Sequence, residues 1–293
     1  MSTSRLLSMA RSACWRTYQD YLMPSRLPEY ARLLTLAREQ GYRLISVEQW
    51  AALLADPTAS ADTRALVLRH DVDTDARLTL PWSQIEQDHG AGASYFYRLS
   101  TIDDQAIETV MKRGFHVSYH FEELADVAKA RGLRSAAEVI AHMDEIRDRF
   151  AANLRALRGR FGWDARIVCS HGDWMNRRLQ MRNLELLSDP AFRRQNGIEY
   201  ETYDEALMTP LRGYYTDAQP PAYWRESGSP FDAIRAGVAP IGLLTHPRQW
   251  QPCPRDNAAE TWRRLREGLA YRRNAQHPSP PAPPGAPRAL RAT

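Results

Sequence analysis

Histidines and carboxylates gather at the ends of four predicted strands. The four segments are residues 70–73 (His-Asp-Val-Asp), 116–120 (His-Val-Ser-Tyr-His), 170–173 (Ser-His-Gly-Asp) and 245–246 (Thr-His). Together they hold five of the eight histidines in the chain. Imidazole and carboxylate groups can bind a divalent metal or move protons, so these segments predict metal-dependent or acid–base chemistry.

Asp71 and Asp73 form the first candidate pair. On an extended chain, residues two apart point to the same side and lie about 7 Å from each other. One carboxylate can then bind a metal while the other acts as a base. Two carboxylates following an apolar strand are costly to bury without a compensating cation. The alternative is a surface turn in which Asp73 or Thr74 caps the next helix.

His116 and His120 form a His-x-x-x-His pair. On a straight strand the two side chains lie about 13 Å apart, which is too far for one ion. If the strand ends near Ser118 and the chain turns, both imidazoles can reach a single metal. Two imidazoles and one carboxylate are a frequent catalytic ligand set. The alternative is two unrelated histidines, one in the core and one on the surface.

Two further strand ends carry single histidines, His171 and His246. A lone histidine at such a position is more often structural than catalytic. The apolar strand before His246, and Pro247, which ends that strand, favour a catalytic role for His246. Trp250, four residues further on, is either a core residue or the wall of a sugar pocket.

Strands and helices alternate along most of the chain, which predicts a mostly parallel sheet in a barrel or an open arrangement. Such folds place their sites beyond the carboxyl ends of the strands, where the four segments fall. The predicted strands are residues 44–47, 65–69, 93–99, 115–119, 166–170, 198–203, 213–215 and 240–245. Among the helices we expect 107–113, 122–131, 135–157 and 257–272.

The chain divides into three predicted parts. Residues 1–62 are expected to be a mainly helical segment packed on the barrel, and residues 63–275 the barrel itself. Residues 276–293 hold six of the 19 prolines and are expected to be a disordered tail.

Charge and composition limit the classes of protein. The 293 residues include 39 Lys and Arg against 35 Asp and Glu, a formal charge of +4, with no run of five like charges. We therefore expect no nucleic-acid partner. Three cysteines without close spacing favour a reducing compartment. The apolar stretches are too short for a membrane span, and Ser8 and Arg11 interrupt the N-terminal one, so we expect a cytoplasmic protein without membrane insertion.

From about residue 64 to residue 250 the sequence resembles the polysaccharide deacetylase superfamily, carbohydrate esterases with a NodB-homology domain. Three motifs in the right order carry the resemblance: 69–73 (Arg-His-Asp-Val-Asp), 116–120, and 244–246 (Leu-Thr-His). By this resemblance Asp71 is the base, His246 is the general acid, and the metal ligands are Asp73, His116 and His120.

The resemblance also implies a fold, a cofactor and a reaction. The fold would be a distorted (β/α) barrel. The cofactor would be one divalent metal ion. Zinc is the expected ion, and Co²⁺, Mn²⁺ and Ni²⁺ are the alternatives. The reaction would be hydrolysis of an N-acetyl or O-acetyl group on a carbohydrate or a glycan precursor. A soluble activated sugar, or a precursor on the cytoplasmic side of a membrane, fits better than a wall polymer.

One departure from the family concerns its middle motifs, which usually supply an arginine that steers the base and substrate. This chain has residues 170–173 at that place. His171 is therefore expected to orient the base or bind substrate, and Arg69, Asp173 and Trp250 are the other candidate substrate-binding residues.

Three alternatives remain open. A haloacid-dehalogenase-like phosphatase also has Asp-x-Asp after an apolar strand, but it requires a threonine where this chain has Asp75, and a lysine for which Lys112 and Lys129 are the candidates. A metal-dependent glycosyltransferase would leave the histidines without a role. A catalytically inactive barrel that binds glycan or a partner protein is the third.

Overall fold

The computed structural model describes residues 11–58, 63–225 and 228–276. The strands are β1 (Arg43–Ser46), β2 (Ala65–Val72), β3 (Ser94–Tyr97), β4 (His116–Phe121), β5 (Ile167–Ser170), β6 (Tyr200–Glu201), β7 (Gly213–Thr216) and β8 (Ile241–Thr245). The α-helices are α1 (Leu27–Glu39), α2 (Val47–Ala55), α3 (Thr79–Asp88), α4 (Asp104–Lys112), α5 (Glu123–Arg131), α6 (Ala136–Ala141), α7 (Met143–Phe161), α8 (Trp174–Leu179), α9 (Pro190–Gln195), α10 (Glu205–Met208), α11 (Pro230–Arg235) and α12 (Pro254–Gln276).

Shorter helical turns connect these elements. Residues 11–17 are helical and continue into a π-helical turn, Tyr18–Leu22. The 3₁₀ turns are Ala76–Leu78, Leu99–Thr101, Asn183–Leu187 and Pro247–Gln249.

The strands form one sheet in the order β6-β5-β4-β3-β2-β8-β7, and all of its strand pairs are parallel. On one side of β2, the first half of the strand pairs with β1 and the second half with β3. No pairing joins β6 to β7 within the described ranges, so the sheet is a half-barrel rather than a closed ring.

Contacts of Arg69 on β2 show how strongly the sheet curls. Its guanidinium lies 2.8 Å from the Cys169 thiol on β5, 3.3 Å from the Tyr214 hydroxyl on β7, and 4.4 Å from the ring of Tyr203 beyond β6. Side chains from one central strand and both ends of the sheet therefore meet inside the curl.

Strand alternation separates two apolar layers. Ala65 and Val67 of β2 face the inside, where they pack with Phe96 and Ile167 below Arg69. Leu66 and its neighbours face outward, and the helices cover them in the larger core. Since the lower part of the curl is filled with apolar side chains, polar groups collect only towards the carboxyl ends of the strands.

The expectation of an α/β chain with a mostly parallel sheet is confirmed. Strand β2 is longer than predicted and carries Asp71 within it. The helix expected over residues 135–157 is two helices, α6 and α7. Residues 11–58 supply strand β1 as well as helices, so a division of the chain at residue 62 does not separate that segment from the sheet.

Helix α12 begins at Pro254 and ends at Gln276, a few residues beyond the expected range at each end. The rest of the predicted tail, residues 277–293, lies outside the described residues, as do residues 1–10 and 59–62 of the predicted N-terminal segment. Within the described chain, no helix combines the length and apolar character needed to span a bilayer.

Candidate metal and acid–base site

The register of the parallel strands decides which residues share a level of the half-barrel. Arg69 on β2 is aligned with Ser94 on β3, which is aligned with His116 on β4. Four residues further along, just beyond these paired segments, Asp73 and His120 lie side by side at the carboxyl end. Asp73, Asp71 and Arg69 alternate with outward-facing residues, so all three face the inside of the curl.

Asp73, His120 and His171 meet at this carboxyl end. The Asp73 Oδ1 atom lies 3.4 Å from His120 Nε2 and 3.5 Å from His171 Nε2. That oxygen is buried and accepts no hydrogen bond of ordinary geometry. A carboxylate oxygen facing two imidazole nitrogens is a donor set that suits a divalent transition metal.

The far side of each imidazole ring is held by a hydrogen-bond acceptor. His120 Nδ1 lies 3.1 Å from the carbonyl oxygen of Cys169, and His171 Nδ1 lies 2.8 Å from Glu122 Oε2. Because Nδ1 of each ring faces an acceptor, Nε2 faces Asp73 and can offer a lone pair to a metal when the ring is neutral, as in many protein metal sites. The residues present therefore fit a metal ion.

Charge also favours this trio over two overlapping groups of potential ligands. In the group Asp71, His120 and Cys169, the Asp71 carboxylate is already neutralised by Arg69. In the group Glu122, His171 and Asp173, Arg98 neutralises Glu122 and Lys129 lies 3.2 Å from Asp173. Asp73 has no arginine or lysine within ion-pair distance among the described residues, so a cation is needed most at its carboxylate.

The pKa values of the cluster reflect this demand for positive charge. Burial opposes the ionisation of Asp73, but His171 and His120 outweigh it and hold its pKa well below the usual range. Burial disfavours the charged form of His120, but the neighbouring Cys169 and Asp71 raise its pKa well above the usual value. These two shifts favour positive charge beside Asp73, whereas burial and the charge of Arg98 lower the pKa of His171.

Asp71 stands beside the trio as an ionised carboxylate. Its two oxygens accept hydrogen bonds from Arg69 Nε and Nη2 at 2.9 and 2.8 Å, and Oδ2 lies 3.7 Å from His120 Nε2. Burial opposes its ionisation, but Arg69 outweighs burial and lowers its pKa to about 2. Asp71 is consequently ionised at neutral pH and fixed in orientation.

His246 lines a cavity together with Asp73 and His171, and it is paired with Asp217. Its Nδ1 lies 2.6 Å from Asp217 Oδ1, and its backbone amide donates to Asp217 Oδ2 at 2.7 Å. Burial lowers the pKa of His246, but Asp217 outweighs it, with help from Asp73 and Asp71, and raises the pKa to about 9. His246 is therefore a protonated acid at neutral pH, with its Nε2 free of the Asp217 contact.

Of the predicted metal ligands, His116 is not brought to the cluster. Strand β4 does not end at Ser118 but continues to Phe121, so His116 and His120 keep the spacing of about 13 Å expected for a straight strand. His116 instead bonds Ser94 Oγ through Nδ1 at 2.9 Å, and burial lowers its pKa to about 4. The structure therefore does not bring His116 and His120 together, and His171 lies beside Asp73 and His120 instead.

The predicted substrate-binding residues also have other contacts. Trp250 is completely buried, and its indole Nε1 donates to Asp217 Oδ2 at 2.8 Å, so it is a core residue and not the wall of a pocket. Arg69 is buried against Asp71. Asp173 lines the cavity but accepts from the Met175 amide at 2.7 Å as the cap of α8.

Sequence reasoning missed Glu122 and Asp217. Glu122 follows β4 directly and Asp217 follows β7 directly, so both occupy the strand-end position that drew attention to the histidines. Their pairing with His171 and His246 spans 49 and 29 residues and has no spacing signal in the sequence.

No family model matches the chain, and no curated protein matches it.

Proposed function

We propose that the protein is a metal-dependent hydrolase that removes an acetyl group from a carbohydrate. An N-linked acetyl group is the preferred substrate group, and an O-linked one is the alternative. The observation that carries the proposal is that the Asp73–His120–His171 trio lies beside Asp71 and shares a cavity with His246. It supports acyl hydrolysis because that reaction needs a Lewis acid, a base and an acid at one centre.

The residues Asp73, His120 and His171 would hold one divalent ion, with zinc preferred for this ligand set. Such an ion would polarise the acyl oxygen and lower the pKa of a water towards about 7. Asp71 is ionised at neutral pH, with a pKa of about 2, and would take the proton from the attacking water. Arg69 keeps the carboxylate aimed, and ionised until it takes up that proton.

His246 supplies the proton that the leaving nitrogen or oxygen requires. With a pKa of about 9 it is protonated at neutral pH while Asp71 is ionised, so acid and base are in the required states together. Asp217 holds the imidazole through Nδ1, and Trp250 holds Asp217 in turn.

The phosphatase alternative gains no support from the lysines. Lys129 is paired with Asp126, Asp173 and Glu267, and Lys112 is exposed and paired with Glu108. Both are engaged away from Asp71.

Metal analysis and acetate release test the proposal together. Purified wild-type protein should carry about one transition-metal ion, and His171→Ala should lose it. His116→Ala is the matched control, since it removes a histidine from the same half-barrel outside the trio. The wild type should release acetate from a panel of N- and O-acetylated sugars. A metal-free wild type, or a metal-loaded one inactive on every sugar, contradicts the proposal.

A further inference from the structure

A cavity of about 240 Å³ adjoins the proposed catalytic residues. Asp73, His171 and His246 form one part of its wall. Five arginines line it as well: Arg16, Arg177, Arg225, Arg248 and Arg264. They come from five separate places in the fold: the helical residues 11–17, α8, the segment after β7, the turn after β8, and α12.

Acidic side chains neutralise only part of this positive charge. Arg248 pairs with Asp20 at 2.8 Å, and Arg264 donates to Glu260 at 2.6 Å. For Arg16, Arg177 and Arg225, no carboxylate within the described ranges lies at ion-pair distance. An unpaired guanidinium gains little from facing other guanidinium groups, so this wall is suited to an anion.

The surroundings of Arg16 show the crowding directly. Partial burial lowers its pKa, the positive charges of Arg248 and Arg264 lower it further, and Asp20 offsets only part of the effect. An anion bound among these three arginines would relieve their mutual repulsion.

We propose that the acyl-bearing sugar processed at this site carries a phosphate or diphosphate ester, which the arginine wall binds. The inference rests on the proposed function and names its substrate class. Sites for drug-sized ligands have volumes of about 300–1,000 Å³, and this cavity is slightly smaller. Its volume suits one sugar ring with a charged substituent. Arginine forks match phosphate oxygens in pairs, and several arginines exceed what a single carboxylate would require.

Binding measurements can separate the substrate class from catalysis. Isothermal titration calorimetry with the Asp71→Asn variant would compare N-acetylglucosamine, its 1-phosphate, its uridine diphosphate ester and an N-acetylated uronic acid. We expect both phosphate compounds to bind at least about tenfold more tightly than the neutral sugar, with affinity that falls as salt rises. The tighter of the two phosphate compounds indicates whether the substrate is a sugar phosphate or a nucleotide sugar.

Charge-neutral variants in the same background locate the binding. Arg177→Gln and Arg225→Gln should each weaken phosphate-sugar binding about three- to tenfold, with little change for the neutral sugar. Arg266→Gln, an exposed arginine on α12 outside the cavity wall, is the matched control and should bind like its parent.

Three results would overturn the proposal: equal affinity for neutral and phosphorylated sugars, arginine variants that bind like Arg266→Gln, or a uronic acid that binds as tightly as the phosphates. Failure of the proposed function looks different. In that case phosphate sugars bind through the arginines, but the metal-loaded wild type releases no acetate from them.

Discussion

Replacing Asp217 with asparagine should move the pH range in which the protein is active. Asp217 is the main group that raises the pKa of His246 to about 9, while burial acts in the opposite direction. In Asp217→Asn the pKa of His246 should fall towards its ordinary value of about 6.5. Because an acid must be protonated to work, activity is lost as pH rises through this pKa.

The size of the effect follows from the two pKa values. At pH 8 a histidine of pKa about 9 is about 90% protonated, while one of pKa about 6.5 is about 3% protonated. Protonation alone therefore predicts about a 30-fold loss of kcat/KM at pH 8 and less than about a twofold loss at pH 6.

The assay is kcat/KM for acetate release measured from pH 5.5 to 10 in wild type and Asp217→Asn. A parallel NMR titration of the His246 imidazole in metal-free protein reports the pKa without any substrate. Asp148→Asn, which changes an exposed carboxylate on α7, controls for net charge. A variant whose activity drops by one constant factor at every pH, with an unmoved His246 titration, would refute this assignment of His246 and Asp217.

Three other predictions concern groups around the same centre. Asp71→Asn should keep the metal and lower kcat by about 10²- to 10⁴-fold, whereas loss of metal on elemental analysis would mean that Asp71 is a ligand. Glu122→Gln should weaken metal affinity about 10- to 100-fold in a chelator competition, because Glu122 orients His171, and unchanged affinity would contradict that role. Glu86→Ala should lower the free energy of unfolding by about 3–5 kcal/mol in urea titrations, since it removes the buried partner of His70 and Tyr30, and a change below about 1 kcal/mol would contradict it.

The strand-end pattern predicted which residues lie together because a parallel sheet brings the carboxyl ends of its strands to one edge. Asp71, Asp73 and His120 lie together there, and His246 lines the same cavity as Asp73. This part needed only the order of strands and the two-residue alternation within them.

The choice between His116 and His171 needed information that residue spacing does not hold. It depended on whether β4 turns at Ser118, and hydrogen bonds to β3 and β5 keep it extended to Phe121. His171 was judged as a lone histidine because its partner Glu122 is 49 residues away. Long-range pairing of this kind depends on register between strands.

The position of Trp250 in the core also depends on contacts that are distant in the sequence. Its sequence environment allowed both a core position and a pocket wall. Packing against Tyr30, Trp82 and Trp224 in the aromatic core decides for the first. The residues near Trp250 in the sequence do not indicate which side chains it packs against.

We propose above all that Asp73, His120 and His171 bind one divalent metal at the catalytic centre. The most direct test is the zinc affinity of wild type, His171→Ala and His116→Ala, measured by competition with a chromophoric chelator at pH 7.5. We predict one tight site in wild type and in His116→Ala, and at least about a 100-fold loss in His171→Ala. Equal affinity in wild type and His171→Ala, or loss of the site in His116→Ala, would contradict the account.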